Sequence, residues 1–108
     1  MLVLEYLDSD SRSPFGRWFD GLDAQAAAKV AIALARIGQT NLSNVKGVGG
    51  GVLEYRIDFG PGYRIYLGRD GDAIVILLGG GTKQRQQRDI STAQKRLIDY
   101  KRRKKEQV

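Results

Sequence analysis

Two arginines occupy the same place in a repeated triplet. The segment "YRIDFGPGYRIY", residues 55–66, places Arg56 and Arg64 each inside a "YRI" triplet, on either side of Gly-Pro-Gly. Two guanidinium groups that converge on one anion can hold a phosphate through charge-assisted hydrogen bonds. The alternative is a pair of surface salt bridges, in which Glu54 neutralises Arg56. Asp58 would neutralise Arg64 in the same way. The residue pattern alone favours the surface pairs, because exposed charges are usually solvated.

The register of this hairpin determines which side chains share a face with the arginines. Strand alternation places Arg56 on the face opposite to the neighbouring apolar residues. A three-residue Gly-Pro-Gly loop is predicted, because it pairs Ile57 with Ile65 and keeps every apolar residue on one face. In this register Arg56 pairs with Tyr66. Arg56 and Arg64 are then diagonal neighbours, ~7 to 8 Å apart at the backbone.

Two lysines and a tyrosine are expected beside the arginines. A two-residue turn at residues 70–71 would carry the "GGGTK" segment back beside the Gly-Pro-Gly turn, so that Lys83 emerges near Arg64. Lys46 belongs to the loop before the hairpin and reaches the same face only if that loop folds over it. Tyr66 would lie among these cations, where its ring can stack on a base or its hydroxyl can donate a hydrogen bond.

Hydrophobic periodicity predicts an α+β fold that positions this face. A strand candidate at residues 2–7 precedes a helix that begins after Ser13 and presents Trp18 to the core. Asp23 caps a second helix that runs through Ile37. The remaining predicted elements are an irregular loop at residues 39–51, strands at 52–59, 63–68 and 73–79, and a final helix capped by Asp89. The predicted order is therefore strand, two helices, three antiparallel strands and a helix.

The composition excludes several classes of site. The chain has no cysteine and no histidine, which rules out disulfides, thiolate metal sites and histidine-based catalysis. We therefore expect neither a metal nor a cofactor. A length of 108 residues with 42% apolar residues fits a single domain over residues 1–108. The N-terminus lacks a basic region and no apolar run approaches ~18 residues, so we expect a cytoplasmic protein with no membrane contact.

The positive charge is concentrated in the last quarter of the chain. Residues 1–80 carry 8 Lys and Arg against 9 Asp and Glu, whereas residues 81–108 carry 10 against 3. This distribution suits a phosphate backbone or an acidic partner, although a solubilising tail would have the same composition. The final helix is expected to carry an apolar stripe and to fray into a basic tail at about residues 101–108. The stripe consists of Ile90, Ala93, Leu97 and Tyr100.

Three segments of the chain resemble a known protein family. They are "SPFGRWFDGLD", "NVKGVGGGVLEYRIDFGPGYRIYL" and "ILLGGGTKQRQQRDISTA". From about residue 5 to about residue 100, the chain resembles the phage-derived addiction-module killer proteins, a branch of the RelE/HigB-like toxin superfamily of bacterial type II toxin–antitoxin systems. The most specific parts are the run from Lys46 to Tyr66 and the "GG-x-K-x-x-Q" pattern that contains Lys83 and Gln86.

The resemblance implies a RelE-like fold, in which a small, mainly antiparallel sheet has two N-terminal helices on one face and a C-terminal helix. It also implies a toxin that cuts messenger RNA held on the ribosome and that a helix-turn-helix antitoxin neutralises. The basic surface of the family corresponds here to Lys46, Arg56, Arg64 and Lys83, with Arg64 as the residue expected to be essential. The residues expected to contact RNA are Tyr66, Arg85, Lys101, Arg102 and Arg103.

The chemistry implied by the resemblance uses the 2′-hydroxyl of the RNA as its nucleophile. Arg56 and Arg64 would stabilise the charge of the pentacoordinate phosphorane, where a preorganised donor contributes ~3 to 4 kcal/mol. Lys46 and Lys83 would position the phosphate or protonate the leaving 5′-oxygen. No metal is required.

The identity of the general base stays open between Glu54, Tyr66 and a lysine whose pKa neighbouring cations lower. Glu54 lies beside Arg56, which favours a role in orienting that arginine. Other superfamily members place a tyrosine soon after the last strand, but "GTKQRQQRDIS" has none, which argues against a tyrosine base. Two alternatives to a nuclease remain: a non-catalytic nucleic-acid-binding protein, and an inactivated homologue that only binds its antitoxin.

Overall fold

The computed structural model describes residues 1–107 and confirms an α+β fold. Within these residues it contains five strands and three α-helices. In chain order the elements are β1 Leu2–Glu5, α1 Pro14–Asp20, α2 Ala24–Gly38, β2 Val45–Gly49, β3 Val52–Ile57, β4 Tyr63–Asp70, β5 Ile74–Thr82, a 3₁₀ turn Lys83–Arg85, and α3 Gln86–Glu106. Within residues 1–107, no helix is both long and apolar enough to cross a membrane.

The two N-terminal helices begin at the residues that their caps predict. The Ser13 hydroxyl accepts a hydrogen bond of 2.9 Å from the backbone N–H of Gly16 and caps α1. The Asp23 carboxylate accepts one of 2.9 Å from Ala26 and caps α2. Each contact satisfies a backbone donor that a helix N-terminus leaves without an intrahelical partner.

The prediction of an irregular loop over residues 39–51 is wrong, because this segment contains β2. Val45 pairs with Tyr55, and Lys46 pairs with Glu54, in an antiparallel arrangement. Glycine-rich composition conceals the strand, since glycine has low strand propensity. The same glycines make the connection to β3: Gly49, Gly50 and Gly51 have φ angles of 101°, 64° and 81°, a region that residues with a Cβ rarely adopt.

The five strands form one mixed sheet between two helical layers. The strand order is β1-β5-β4-β3-β2, in which β1 runs parallel to β5 and the other neighbours are antiparallel. Helices α1 and α2 cover one face, as predicted, over a core that includes Val30, Ile37 and Ile65. Helix α3 covers the other face, where Leu97 packs with Leu78. A polar side chain on the α3 face is therefore buried or exposed according to how far α3 extends over it.

The register of β3 and β4 differs from the predicted one by two residues. Arg56 pairs directly with Arg64, and Ile57 pairs with Tyr63. The connecting turn has five residues, 58–62, because Gly62 donates a backbone hydrogen bond of 3.0 Å to Phe59 and closes the turn there. A shift of two residues leaves every side chain on its predicted face, since the side-chain period of a strand is two. It does change which side chains are direct neighbours.

The register of β4 and β5 is interrupted by an irregularity next to Tyr66. The turn predicted at residues 70–71 has three residues, so that Asp70 pairs with Ile74. Between Tyr66 and Leu67 the pairing shifts by one residue, and Tyr66 pairs with Gly79. Such bulges insert an extra residue on one strand and redirect the side chains beyond it.

Glycine 80 makes room for Trp18 on the α1 side of the sheet. A Cβ atom at Gly80 would lie 2.3 Å from the indole ring of Trp18. Trp18 is partly buried against the core, which confirms the prediction that it is a core residue.

The final helix starts earlier than predicted and does not fray. Asp89 is not its cap: α3 begins at Gln86, and the Asp89 side chain lies in the first turn. The predicted apolar stripe packs on the sheet, and Leu97 reaches the backbone at Gly68. The helix continues to Glu106, so the predicted frayed tail is helical over residues 101–106. Residue 108 lies outside the described residues.

Candidate functional site

A fully buried carboxylate lies at the centre of the polar face. Glu54 has no exposed surface. Its Oε1 accepts a hydrogen bond of 3.0 Å from Nε of Arg56, and its Oε2 accepts one of 2.9 Å from Nε2 of Gln86. Strand β3 supplies the glutamate, and the first residue of α3 closes over it. Because a buried charge is costly without partners, these contacts hold the carboxylate in one orientation.

Arg64 is a buried cation that shares this carboxylate with Arg56. Only 6% of Arg64 is exposed, and its Nε lies 3.6 Å from Oε1 of Glu54. Its Nη1 donates a long hydrogen bond of 3.4 Å to the carbonyl of Tyr63. Nε itself has no hydrogen-bond partner within the described residues. Glu54 therefore neutralises one guanidinium group while a second lies close to the same oxygen.

The structure corrects the salt bridges expected for the hairpin. The pair between Glu54 and Arg56 is present. Among residues 1–107, however, Arg64 forms its ion pair with Glu54 and not with Asp58. The five-residue turn moves Asp58 out of the strand pairing, which explains the difference.

The two arginines line an open polar pocket with Lys83. The pocket has a volume of about 500 Å³. Its lining residues are Asn44, Arg56, Asp58, Gly62, Arg64, Lys83 and Gln86. The backbone N–H of Lys83 donates a hydrogen bond of 2.8 Å to the carbonyl of Gly62, which fixes the end of β5 beside the hairpin turn. The prediction that Lys83 emerges near Arg64 is confirmed.

Lys46 lies on the same face as the arginines but opens onto an adjoining groove. It is directly opposite Glu54 in the β2–β3 pairing, so no folded-over loop is needed to bring it there. Its groove runs along β2 and the start of α3 and also includes Gln86. Three of the four expected cations therefore line one pocket, and Lys46 lines the neighbouring groove. Gln86 contributes to the lining of both.

Tyr66 does not lie among the cations at the surface, and that prediction is wrong. Only 1% of Tyr66 is exposed, because Leu97 and its neighbours on α3 pack over it. Burial, followed by the negative charges of Glu54 and Asp89, raises the pKa of its hydroxyl. The hydroxyl has no hydrogen-bond partner within the described residues. A ring in this position cannot stack on a base.

The cations expected to contact RNA along α3 fall into two groups. Arg85 and Lys101 have exposed side chains. Arg102, in contrast, pairs with Asp99 at 2.5 Å, and Arg103 pairs with the same carboxylate at 2.5 Å. Arg103 also donates a hydrogen bond of 2.6 Å to the carbonyl of Leu7. The ion pairs of Arg102 thus lie within α3, with 60% of its side chain still exposed, whereas Arg103 attaches the last turns of α3 to the segment after β1.

Two polar residues of α3 had no functional role in the sequence interpretation. Gln86 holds Glu54 in place, and its only signal is its position at the end of the "GG-x-K-x-x-Q" pattern. Asp89 is partly buried, and desolvation raises its pKa. A Cβ atom at Gly81 would lie 2.0 Å from Oδ2 of Asp89, so the carboxylate lies directly over the backbone of β5. Only the packing of α3 on the sheet brings Gln86 to the arginine pocket and Asp89 onto β5.

The arrangement is suited to an anion. Arg56, Arg64 and Lys83 provide three positive charges around one pocket, against the negative charges of Asp58 in its lining and of the buried Glu54. Guanidinium groups that are already oriented bind a phosphate with little reorganisation. Within residues 1–107, the acidic side chains do not form a group of three or more that could hold a metal ion.

Comparison with known proteins identifies a relative of this chain. No protein-family model matches the sequence. A protein of Haemophilus influenzae, named as an uncharacterized protein, is 40% identical over 80 residues, which cover 73% of this chain and 81% of the relative.

Proposed function

This chain belongs to the same protein family as the Haemophilus influenzae protein, and we propose from its site that it is a metal-independent endoribonuclease. The observation that carries the proposal is the direct pairing of Arg56 and Arg64 over the buried Glu54. Like charges directly opposite each other in a sheet are unfavourable. A site that keeps them together against this cost is suited to an anionic ligand.

We assign the biological role from the resemblance to addiction-module killer proteins. In this proposal the protein is the toxin of a type II toxin–antitoxin system, has a RelE-like fold and cuts messenger RNA on the ribosome. Its partners are the translated RNA and a helix-turn-helix antitoxin. The α+β architecture, with two N-terminal helices on one face of the sheet, is compatible with that fold.

In the proposed reaction the 2′-hydroxyl attacks the adjacent phosphorus, and the bond to the 5′-oxygen breaks. The hydroxyl loses a proton and the 5′-oxygen gains one, which leaves a 2′,3′-cyclic phosphate and a 5′-hydroxyl. Arg56 and Arg64 would stabilise the additional negative charge of the phosphorane. A preorganised donor of this kind lowers the barrier by ~3 to 4 kcal/mol.

The contacts of Glu54 favour a positioning role over a role as the base. Oε1 faces both arginines, and Oε2 accepts the hydrogen bond from Gln86. Glu54 has no exposed surface, so in this arrangement neither oxygen can reach the 2′-hydroxyl of a bound RNA. The carboxylate would instead fix the two guanidinium groups at the phosphate.

The buried hydroxyl of Tyr66 is also a poor base, because its raised pKa disfavours the phenolate. We therefore assign the proton transfers to the lysines. Lys83 lines the arginine pocket and Lys46 its neighbouring groove. In this assignment Lys46, as the free amine, accepts the proton of the 2′-hydroxyl. Lys83 protonates the leaving oxygen, because it lies nearer to the two arginines.

The second candidate function is nucleic-acid binding without cleavage. The observation that favours it is the same engagement of Glu54, which leaves the site without a carboxylate base. An inactivated toxin that only binds its antitoxin would show the same geometry. RNA cleavage separates the nuclease from both alternatives, and RNA binding then separates the two alternatives from each other.

The test is induction of the wild-type chain and of Arg64→Ala in bacteria, with messenger RNA ends mapped by primer extension. We expect growth arrest and cleavage within codons for the wild type and neither for Arg64→Ala. Because Arg64 is buried, Arg56→Ala provides a second variant at the surface of the same pocket, and Arg36→Ala on α2 is the control. Circular dichroism checks that each variant is folded. Arrest by Arg64→Ala, or no RNA cleavage by the wild type, would contradict the proposal.

A further inference from the structure

A second polar pocket lies on the β5 side of α3, beside the arginine pocket. It is enclosed by the start of α1, the Gly79–Gly80 segment of β5 and the first three turns of α3, and its volume is about 260 Å³. Its charged lining residues are Arg85, Arg88, Asp89 and Arg96. The function proposed above uses none of the last three residues.

The arginines of this pocket form one stripe along the 3₁₀ turn and α3. Arg85 is the last residue of the turn, and Arg88 and Arg96 lie eight positions apart on α3, which places them on one side of the helix. All three lie close enough to the carboxylate of Asp89 to lower its pKa, an effect smaller than that of burial. Yet none of the ion pairs within residues 1–107 joins Asp89 to an arginine at 4.0 Å or less. The pocket thus has an excess of two positive charges without direct pairing.

The hydroxyl of Tyr66 gives a second indication of a ligand. Only 1% of Tyr66 is exposed, and the residue lines this pocket. Its hydroxyl makes no hydrogen bond within the described residues, although the carboxylate of Glu54, opposite it in the β3–β4 pairing, is near enough to raise its pKa. A buried hydroxyl without a partner is unfavourable, and an acceptor atom in the pocket would satisfy it.

One arginine of the stripe is fixed before any ligand binds. Nη1 of Arg96 donates a hydrogen bond of 2.8 Å to the carbonyl of Leu78. A Cβ atom at Gly79 would lie 2.8 Å from the same nitrogen, so the glycine permits this approach. The remaining donors of that guanidinium group are available to a ligand. The N-terminus of α3, with its partial positive charge, adds to the attraction for an anion.

We propose that this pocket binds a phosphate group, held by the guanidinium groups of Arg85, Arg88 and Arg96 and by the hydroxyl of Tyr66. As a site for RNA the inference rests on the proposed function: the group would be a phosphodiester near the scissile one. Arg64 and Tyr66 are two residues apart on one face of β4, a separation of ~6.6 Å along a strand. One strand of RNA can therefore occupy both pockets. A free phosphate has the same chemistry, and the experiment distinguishes the two sources.

The experiment is a titration of the ¹⁵N-labelled protein followed by the Nε–Hε signals of its arginines. One arm uses inorganic phosphate, and the other uses a short single-stranded RNA with 2′-O-methyl groups, which cannot be cleaved by 2′-hydroxyl attack. Arg88→Gln removes an exposed charge of the pocket, and Arg36→Gln removes an exposed charge on α2 as the matched control. Tyr66→Phe removes only the hydroxyl.

We expect phosphate to shift the signals of Arg85, Arg88 and Arg96. Arg88→Gln should raise the Kd for phosphate about tenfold, the effect of losing one charge-assisted hydrogen bond. Arg36→Gln should leave the Kd unchanged, and Tyr66→Phe should raise it with no loss of charge. The proposal is overturned if phosphate shifts only the signals of Arg56 and Arg64, or if Arg88→Gln has no effect.

The RNA arm separates the site from the proposed nuclease activity. If Arg88→Gln weakens phosphate and RNA by similar factors, the pocket serves the RNA strand. If it weakens phosphate alone, the assignment to RNA is wrong. Loss of cleavage in Arg64→Ala with phosphate binding retained would show that the two pockets act separately. A wild-type protein that binds phosphate here but does not cleave RNA would contradict the nuclease and leave the phosphate site standing.

Discussion

Arg56 and Arg64 lie directly opposite each other across β3 and β4, on the face that α3 covers in part. Two guanidinium groups in this arrangement repel each other. The structure compensates with one carboxylate, Glu54, which contacts both. Arg56 keeps 46% of its side chain exposed, whereas Arg64 is buried. The pair thus has one half-exposed and one buried member, and both contact the same glutamate.

Removing the charge of Glu54 should destabilise the protein and disable the site together. Glu54→Gln leaves the buried Arg64 without a carboxylate, and we expect the free energy of unfolding to fall by about 2 to 3 kcal/mol, since breaking a buried ion pair is costly and Arg56 stays solvated. Urea denaturation at pH 7 measures the change. Glu106→Gln, which breaks the exposed pair with Arg102, should cost less than ~1 kcal/mol. Equal stability of Glu54→Gln and wild type would show that this carboxylate does not hold the arginines.

A methyl group at position 81 should be tolerated only when Asp89 is shortened. Gly81→Ala places a Cβ within 2.0 Å of Oδ2 of Asp89, and such overpacking costs ~1 to 3 kcal/mol. In the double variant with Asp89→Ala the loss should be clearly smaller than the sum of the two single losses. Gly47→Ala, with no atom within 4 Å of the new Cβ, is the control. Strictly additive free energies of unfolding would mean that α3 does not pack on β5 in this way.

Asp89→Asn should stabilise the protein at neutral pH. Burial raises the pKa of Asp89 above its ordinary value of 3.8. Between the unfolded and the folded pKa the native state therefore binds more protons, so stability falls as the pH rises through this window. Asparagine carries no charge at this position, so the variant should not lose this stability. The difference in the free energy of unfolding between variant and wild type should shrink as the pH falls towards 4. Urea denaturation across this pH range tests the sign, with Asp23→Asn, which keeps a side-chain acceptor at the α2 cap, as the control. A variant less stable than wild type at pH 7 would contradict the prediction.

The basic end of α3 should separate into cations that bind RNA and cations that stabilise the fold. Lys101→Gln removes an exposed charge and should reduce the slope of log affinity for single-stranded RNA against log salt by about 0.7 without changing the Tm. Arg103→Gln should lower the Tm, because it removes the contacts with Asp99 and Leu7. Filter binding over a salt series, with thermal denaturation of each variant, measures both effects. A salt slope unchanged by Lys101→Gln would show that this end of the helix does not contact RNA.

The sequence alone determined which residues share the polar face. Alternation with a period of two placed Arg56 and Arg64 together, and any register that keeps the apolar face buried preserves this result. Local signals also located both N-terminal helices, because Ser13 and Asp23 supply caps that depend only on neighbouring residues. The α+β class followed from the order of these elements.

The tertiary structure alone decided which of these residues are buried and which are paired. The five-residue turn made Arg56 and Arg64 direct partners. Glycine allows several backbone conformations, so the glycines of this turn do not by themselves predict its length. The burial of Tyr66 depends on Ala93 and Leu97 of α3, more than twenty-five residues away in the chain. Such burial is a property of packing between distant segments, which local periodicity does not contain. For the same reason only the packing of α3 on the sheet decided the positions of Gln86 and Asp89.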